Sequence, residues 1–214
     1  MSTDEFQQIW KTYDAKLERS LQLNLRLLSE IQSQKAKSVL RTFVVARVIA
    51  IIIGAIYMLM LCFAFWFIHS QPVMAVSFGV FILCTALAIG ESIQELGVIH
   101  GISYGDNVVD TQQKLAGIQS SIIRMLRISW IQLPFWSTFF VSNELLRKGG
   151  LEFLMIEIPI VLFFTILAVF LYKNITVENA NKKKWVRGLI NGSGIKSVTR
   201  AMDFMKEIED FKNG

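Results

Sequence analysis

Two sets of ionisable residues are the best candidates for chemistry in this chain. Glu91 and Glu95 are four residues apart, a spacing that puts both carboxylates on one face of a helix, and His100 follows about one further turn on. Two carboxylates and an imidazole have the chemistry to pass a proton or hold a metal. Glu144, Glu152 and Glu157, with His69, form the second set, whose oxygens suit a divalent cation. Both sets also have a plainer reading. Glu91 and Glu95 fall at the edge of an apolar stretch, where water reaches them and Arg124 or Arg127 can pair with them. Arg147 and Lys148 lie close enough to Glu144 and Glu152 to neutralise two of the outer carboxylates. No HExxH, paired HxH or carboxylate-rich loop accompanies either set.

The remaining motifs carry less. Gly192-Ser193-Gly194-Ile195-Lys196-Ser197 has the look of a phosphate loop but lacks its adjacent Gly-Lys and follows no strand. Asn174-Ile175-Thr176 and Asn191-Gly192-Ser193 match the glycosylation triplet, on the side of the membrane where it is not used. Cys62 and Cys84 sit inside apolar stretches with no CxxC spacing and read as two small apolar residues rather than a disulfide or metal pair. With only two His, the chain offers no Ser/His/Asp or Cys/His arrangement. The sequence predicts no catalytic residue, no cofactor and no metal, and the chain is not expected to be an enzyme.

The elements that would position these residues are membrane helices. The chain is 53% hydrophobic, only slightly above a soluble domain, so the distribution decides. The apolar residues concentrate in four stretches, 48–68, 73–93, 128–146 and 151–172, each close to the roughly 20 residues a helix needs to cross a bilayer. Of 22 Lys and Arg, only Arg147 and Lys148 fall outside the segments before the first stretch, between the second and third, and after the fourth. That asymmetry predicts a multi-pass inner-membrane protein with both termini in the cytoplasm. The first 40 residues are polar and charged, so the first span acts as an uncleaved anchor.

Residues 1–42 read as one amphipathic helix without Pro or Gly. Phe6, Trp10, Tyr13, Leu17, Leu21, Leu25, Leu28 and Ile31 recur at steps of three and four. Trp10, Leu17, Asn24 and Ile31 are spaced by sevens, with a polar Asn of the kind that fixes register in a coiled coil. The stripe is expected to pack against protein, either the chain's own helices or a second copy. Lys35, Lys37, Arg41 and Arg47 mark the entry into lipid, and Trp66 the far interface.

Residues 43–172 form the membrane domain. Residues 69–72 make a tight hairpin, with Pro72 opening the second helix. Ala50 and Gly54, and Ala86 and Gly90, have the spacing that permits close helix approach. The inward loop 94–127 breaks near Gly101 and Gly105, then starts a helix capped by Asp106 or Asn107 with a stripe of Val108, Leu115, Ile118, Ile122 and Met125. Pro134 should kink the third span, which also holds Gln132, Ser137 and Thr138. Residues 147–150 make a second outer hairpin.

The tail, 173–214, carries nine Lys or Arg against five Asp or Glu, including Lys182, Lys183, Lys184 and Arg187. Such a run fixes topology and touches anionic lipid; no aromatic interleaving supports nucleic-acid binding. A Gly-rich turn at 188–194 leads to a last amphipathic helix with Ile195, Val198, Met202, Met205, Ile208 and Phe211 on one stripe. Three amphipathic helices are thus expected to bury their stripes together beneath the membrane.

Ile9-Trp10-Lys11, Tyr13-Asp14-Ala15-Lys16-Leu17-Glu18 and Leu23-Asn24-Leu25, with Ser103-Tyr104 leading into Thr111-Gln112-Gln113-Lys114-Leu115, give the chain a family likeness. It resembles a family of four-span inner-membrane proteins of Bacteroidota, often encoded beside extracytoplasmic-function sigma factors. The resemblance implies a regulatory or envelope-stress context and carries over no functional residue. The chain departs from membrane anti-sigma factors, which commonly have a single span. The expected protein is therefore all-α, with four transmembrane helices and cytoplasmic coiled-coil-like helices. Its expected role is regulatory or scaffolding, through a homo-oligomer or a cytoplasmic partner. Trp10, Leu17, Leu21, Asn24, Leu28, Ile31, Met202 and Met205 are the candidate contact residues. A small transporter or channel is the alternative.

Overall fold

The computed structural model describes residues 3–102 and 108–213. All regular structure among them is helical: α1 (Thr3–Ile68), α2 (Pro72–His100), α3 (Val108–Ser129), a 3-10 turn (Trp130–Gln132), α4 (Leu133–Thr138), α5 (Asn143–Asn174), α6 (Val177–Lys182), α7 (Lys184–Asn191) and α8 (Ile195–Asn213). The expected caps Asp106 and Asn107, and the break at Gly105, lie outside the described residues, as does the side chain of Phe6. Three helices are long and apolar enough to cross a membrane: α1 in its second half, α2 and α5. Most of their apolar side chains face outward, as Ile53, Phe63, Met155 and Phe163 do. A chain with three such helices is a membrane protein whose apolar faces suit lipid.

α1 runs unbroken from its polar start through the first apolar stretch because nothing in it breaks a helix. It turns back through His69–Pro72, where Pro72 supplies the first position of α2. The third apolar stretch, expected as one span kinked at Pro134, is interrupted there by a 3-10 turn and carries only the short α4 beyond it. Pro134 has no N–H to give the carbonyl of Trp130, so the backbone tightens and Leu133 N–H donates to that carbonyl instead. An α-helical turn resumes in α4, which ends at Thr138. Ser142 then caps α5, its hydroxyl accepting from Leu145 N–H at 3.1 Å.

The second outer hairpin also differs from expectation. Residues 147–149 are helical, within the first turns of α5, and the chain bends at Gly150 alone. Gly150 has φ 50° and ψ −139°, a conformation that only glycine adopts without strain. The tail departs too: Gly188 lies inside α7, and the turn is confined to residues 192–194. α6 and α7 break the tail into short helices that the hydrophobic pattern alone did not reveal.

Two cores result. One lies between the membrane helices at the hairpin end, where Leu61, Phe78 and Phe81 meet Phe135 and Phe139. Phe78 stacks on Phe139 with centroids 4.3 Å apart. The larger core lies at the opposite end of the membrane helices. There Ala36, Leu40 and Phe43 of α1, Leu115 and Ile118 of α3, Val186 of α7, and Val198, Ala201 and Met205 of α8 are buried together. Each fully buried aliphatic side chain contributes roughly 1.5–3 kcal/mol. The stripes of α3 and α8 do pack on one another, but they meet α1 at Ala36, Leu40 and Phe43, past its expected stripe of Trp10 to Ile31, which stays largely exposed. Within α8 the buried set is Ile195, Val198, Ala201, Met205 and Ile208, while Met202 is half-buried and Phe211 exposed. Gly194 closes this core: its φ is 92°, and a Cβ there would lie 2.8 Å from Cε2 of Phe43.

Candidate functional site

The polar chemistry of the molecule collects in a belt where the membrane helices enter the helical layer. α2 carries the acids and α1 and α3 the bases, because antiparallel α1–α2 and α2–α3 packing sets residue 47 level with 95 and residue 124 level with 91. Arg47 Nε approaches Glu95 Oε2 to 2.8 Å. The two atoms make an ion pair with off-line hydrogen-bond geometry, since neither has a properly aligned hydrogen-bond partner. Arg47 also lays its guanidinium over the ring of Phe43, 4.9 Å from the centroid. Arg124 meets Glu91 at 2.9 Å, and the Ser121 hydroxyl donates to the other oxygen of Glu91. Arg127 donates to the carbonyl of Tyr172 at 2.9 Å and covers its ring.

The structure corrects the sequence expectation at two residues here. Glu95 is not a wetted interfacial acid: it is 3% exposed, sealed between α1 and α3. Arg47 does not simply reach for the interface; it is the counter-charge to Glu95. Both groups were visible in the sequence, but they are 48 positions apart, so no local spacing connected them. The Glu91–Arg124 pair is as expected. His100 is exposed and stands apart from both pairs.

Outer residues expected to cluster do not. Glu144 pairs with Lys148 along its own helix at 2.6 Å, and His69 Nδ1 lies 2.7 Å from the carbonyl of Trp66. Among the described residues no group of three or more His, Cys, Asp and Glu is placed to hold a metal. Glu157 is different: one of its carboxylate oxygens is buried without a hydrogen-bond partner among the described residues. Cys62 is exposed on its helix, against the expected burial, and Cys84 half-buried; both are free thiols. The loop-like Gly192-Ser193-Gly194 is a packing turn against Phe43, not an open cradle.

The second candidate site is the stripe on the first half of α1. Trp10 is 59% exposed, Leu17 62%, Leu21 54% and Ile31 50%, with Tyr13 more open still. Asn24 is exposed and Leu28 half-buried. The chain's own helices cover none of this stripe before Leu25; cover begins in earnest at Gln32, whose amide donates to Glu207 of α8. Met205, expected to meet a partner, is fully buried in the chain's own core.

Comparison with protein-family models, curated proteins and solved structures finds no match for this chain.

Proposed function

We propose that this chain is a four-span inner-membrane protein with both termini in the cytoplasm, acting as a regulatory or scaffold element through its cytoplasmic helices. The observation that carries the role is the open stripe of α1. Several large apolar residues, Trp10, Tyr13, Leu17 and Leu21 among them, stand exposed well before the apolar stretch that suits lipid. An exposed apolar row of that length marks a protein-contact surface. The sevenfold spacing of Trp10, Leu17, Asn24 and Ile31 suits a helical partner, a second copy included. The family resemblance adds sigma-factor or envelope-stress signalling as the setting.

The fourth crossing is supported by a chain of contacts. Arg127 touches Tyr172 at the layer end, Ser77 and Thr138 hydroxyls meet at 2.9 Å, and Asn143 N–H donates to Gln71 Oε1 at the hairpin end. Residues 127–143 therefore run alongside α2 from near the level of Glu91, which Arg124 meets, to its start at Gln71. Sixteen residues of near-helical rise cover about 25 Å, close to the hydrocarbon thickness. The orientation rests on the distribution of basic residues.

Two experiments test this reading. Single Cys residues at Ser70 and Glu144, both exposed, in a Cys-free background, should react with an impermeant thiol reagent in intact cells, and one at Asn191 should not; labelling at Asn191 would overturn the threading. For the role, Leu17→Asp with Leu21→Asp should abolish crosslinking of α1 to its partner or second copy in native membranes. Unchanged crosslinking would end the interaction reading.

Glu157 favours the alternative, a small transporter or channel. A carboxylate oxygen buried without a partner, about 10 Å along the helix past the bend at Gly150, is costly and marks ion or proton paths in membrane proteins. Flux in reconstituted vesicles that is lost in Glu157→Leu and kept in the Leu17/Leu21 variant would select it.

A further inference from the structure

We propose that the groove between α1 and α2, on the side of the membrane occupied by the helical layer, binds one anionic phospholipid; this inference rests on the membrane reading but not on the regulatory role. The groove measures about 800 Å³. Its rim carries Lys37 and Arg41, one turn apart on α1, and His100 at the end of α2. Its floor is apolar, with Leu40, Val44 and Leu96. A cationic rim over an apolar floor at a membrane interface is the complement of a phospholipid, phosphate outward and acyl chains along the helices.

The depth agrees. Arg41 lies seven residues before the apolar stretch that begins at Val48, and His100 seven residues past the one that ends at Ile93. At 1.5 Å per residue both sit about 10 Å beyond the hydrocarbon edge. The headgroup layer extends roughly 5–8 Å past that edge, and an Arg or Lys stem spans the difference. Val44 and Leu96 then lie where the acyl chains begin.

The charge also agrees. Three other cations of the belt are matched: Arg47 by Glu95, Arg124 by Glu91 and Arg127 by the Tyr172 carbonyl. Lys37 and Arg41 have no ion-pair or hydrogen-bond partner among the described residues. Two unmatched cations converge on one groove, so an anion is the occupant that completes it. A zwitterionic lipid brings its own cation and satisfies neither. Gly97 keeps the groove open: a Cβ built there meets nothing within 4 Å.

The test is native mass spectrometry of the detergent-solubilised full chain, exposed to equal amounts of phosphatidylglycerol and phosphatidylcholine. Wild type should retain one phosphatidylglycerol at least tenfold over phosphatidylcholine. Lys37→Gln with Arg41→Gln should lower that retention roughly tenfold or more, at about 1 kcal/mol per charge near the surface. Gly97→Leu should lower it as much with every cation in place, by filling the groove; it projects into open space on a helix, so it keeps the fold even if the double variant does not. Lys182→Gln with Lys184→Gln, exposed in the tail, should change nothing. Wild-type retention by Gly97→Leu, equal retention of phosphatidylcholine, or loss in the tail variant instead would overturn the site.

Discussion

Between Trp10 and Leu23 the apolar residues of α1 point into open space, whereas from Gln32 to Phe43 one face of the same helix is buried, chiefly against α8. Composition does not separate the two segments, since both alternate apolar and charged residues at helical spacing. What separates them is which of them α8 lies against. α8 offers 19 residues, and its outermost ties to α1 are Glu207 on Gln32 and Phe204 beneath Lys35. Before that contact Leu25 and Leu28 are half-buried, and Trp10, Leu17 and Leu21 are mostly exposed among the described residues. A helical stripe announces that something covers it; the reach of the neighbouring elements decides whether the chain itself does so. Farther along α1 a third answer appears, with Ile52, Ile53 and Ile56 bare because their solvent is hydrocarbon.

The sharpest way to break this comparison is to put a charge on each side of it. Met205→Asp buries a carboxylate in the fully enclosed seam between α1, α3 and α8. It should cost roughly 4 kcal/mol or more and melt the layer in a thermal scan of the detergent-solubilised protein. Leu21→Asp, on the open stripe, should shift the midpoint of the solubilised monomer by less than about 0.5 kcal/mol. Equal losses would mean that the first half of α1 is folded back onto the chain. Truncating α8 is the weaker probe, because it removes the layer's own core along with any partner surface.

Next in size is the belt, where one ion pair is sealed and its neighbour is wet. Glu95→Ala leaves Arg47 unmatched beside a closed seam and should cost about 3 kcal/mol. Glu91→Ala frees Arg124, whose side chain is 63% exposed, and should cost no more than about 1 kcal/mol. Replacing both members of the sealed pair, Arg47→Met with Glu95→Leu, should recover most of the loss, since the desolvation of both charges goes with their attraction. Equal costs for the two acids would show that water reaches Glu95 after all.

These contrasts also mark what the sequence makes legible. The three apolar helices, the turn at residues 69–72, the disruption by Pro134 and the convergence of the α3 and α8 stripes all follow from local pattern. Such features depend on neighbours within a turn or two. The bend at Gly150, the helical start of α5 and the split of the tail into α6 and α7 do not, because each is set by what packs there. At the belt, Glu91 with Arg124 is readable because both lie about the segment that joins the second and third apolar stretches. Arg47 with Glu95 is not: it depends on the register of α1 against α2, which apolar sequences in lipid specify through packing rather than through a polar–apolar code.

That register is itself open to a finer test, on two glycines that look alike in sequence. Gly54 and Gly90 each end a small-residue pair, Ala50 with Gly54 and Ala86 with Gly90. In the structure they differ. A Cβ on Gly54 would meet Cγ1 of Ile89 at 3.2 Å, across the α1–α2 contact, whereas one on Gly90 meets nothing within 4 Å. Gly54→Ala therefore pits the helix preference for Ala, close to 1 kcal/mol, against a strained contact, and should leave stability unchanged or lowered by up to about 1 kcal/mol. Gly90→Ala gains the helix preference with no opposing contact and should stabilise by roughly 0.5–1 kcal/mol. The measurement is reversible unfolding of each variant in the same detergent. The trends differ because one glycine faces Ile89 across the α1–α2 contact and the other faces open space. The same gain at both positions would mean that α1 and α2 are not held in the register that joins Arg47 to Glu95.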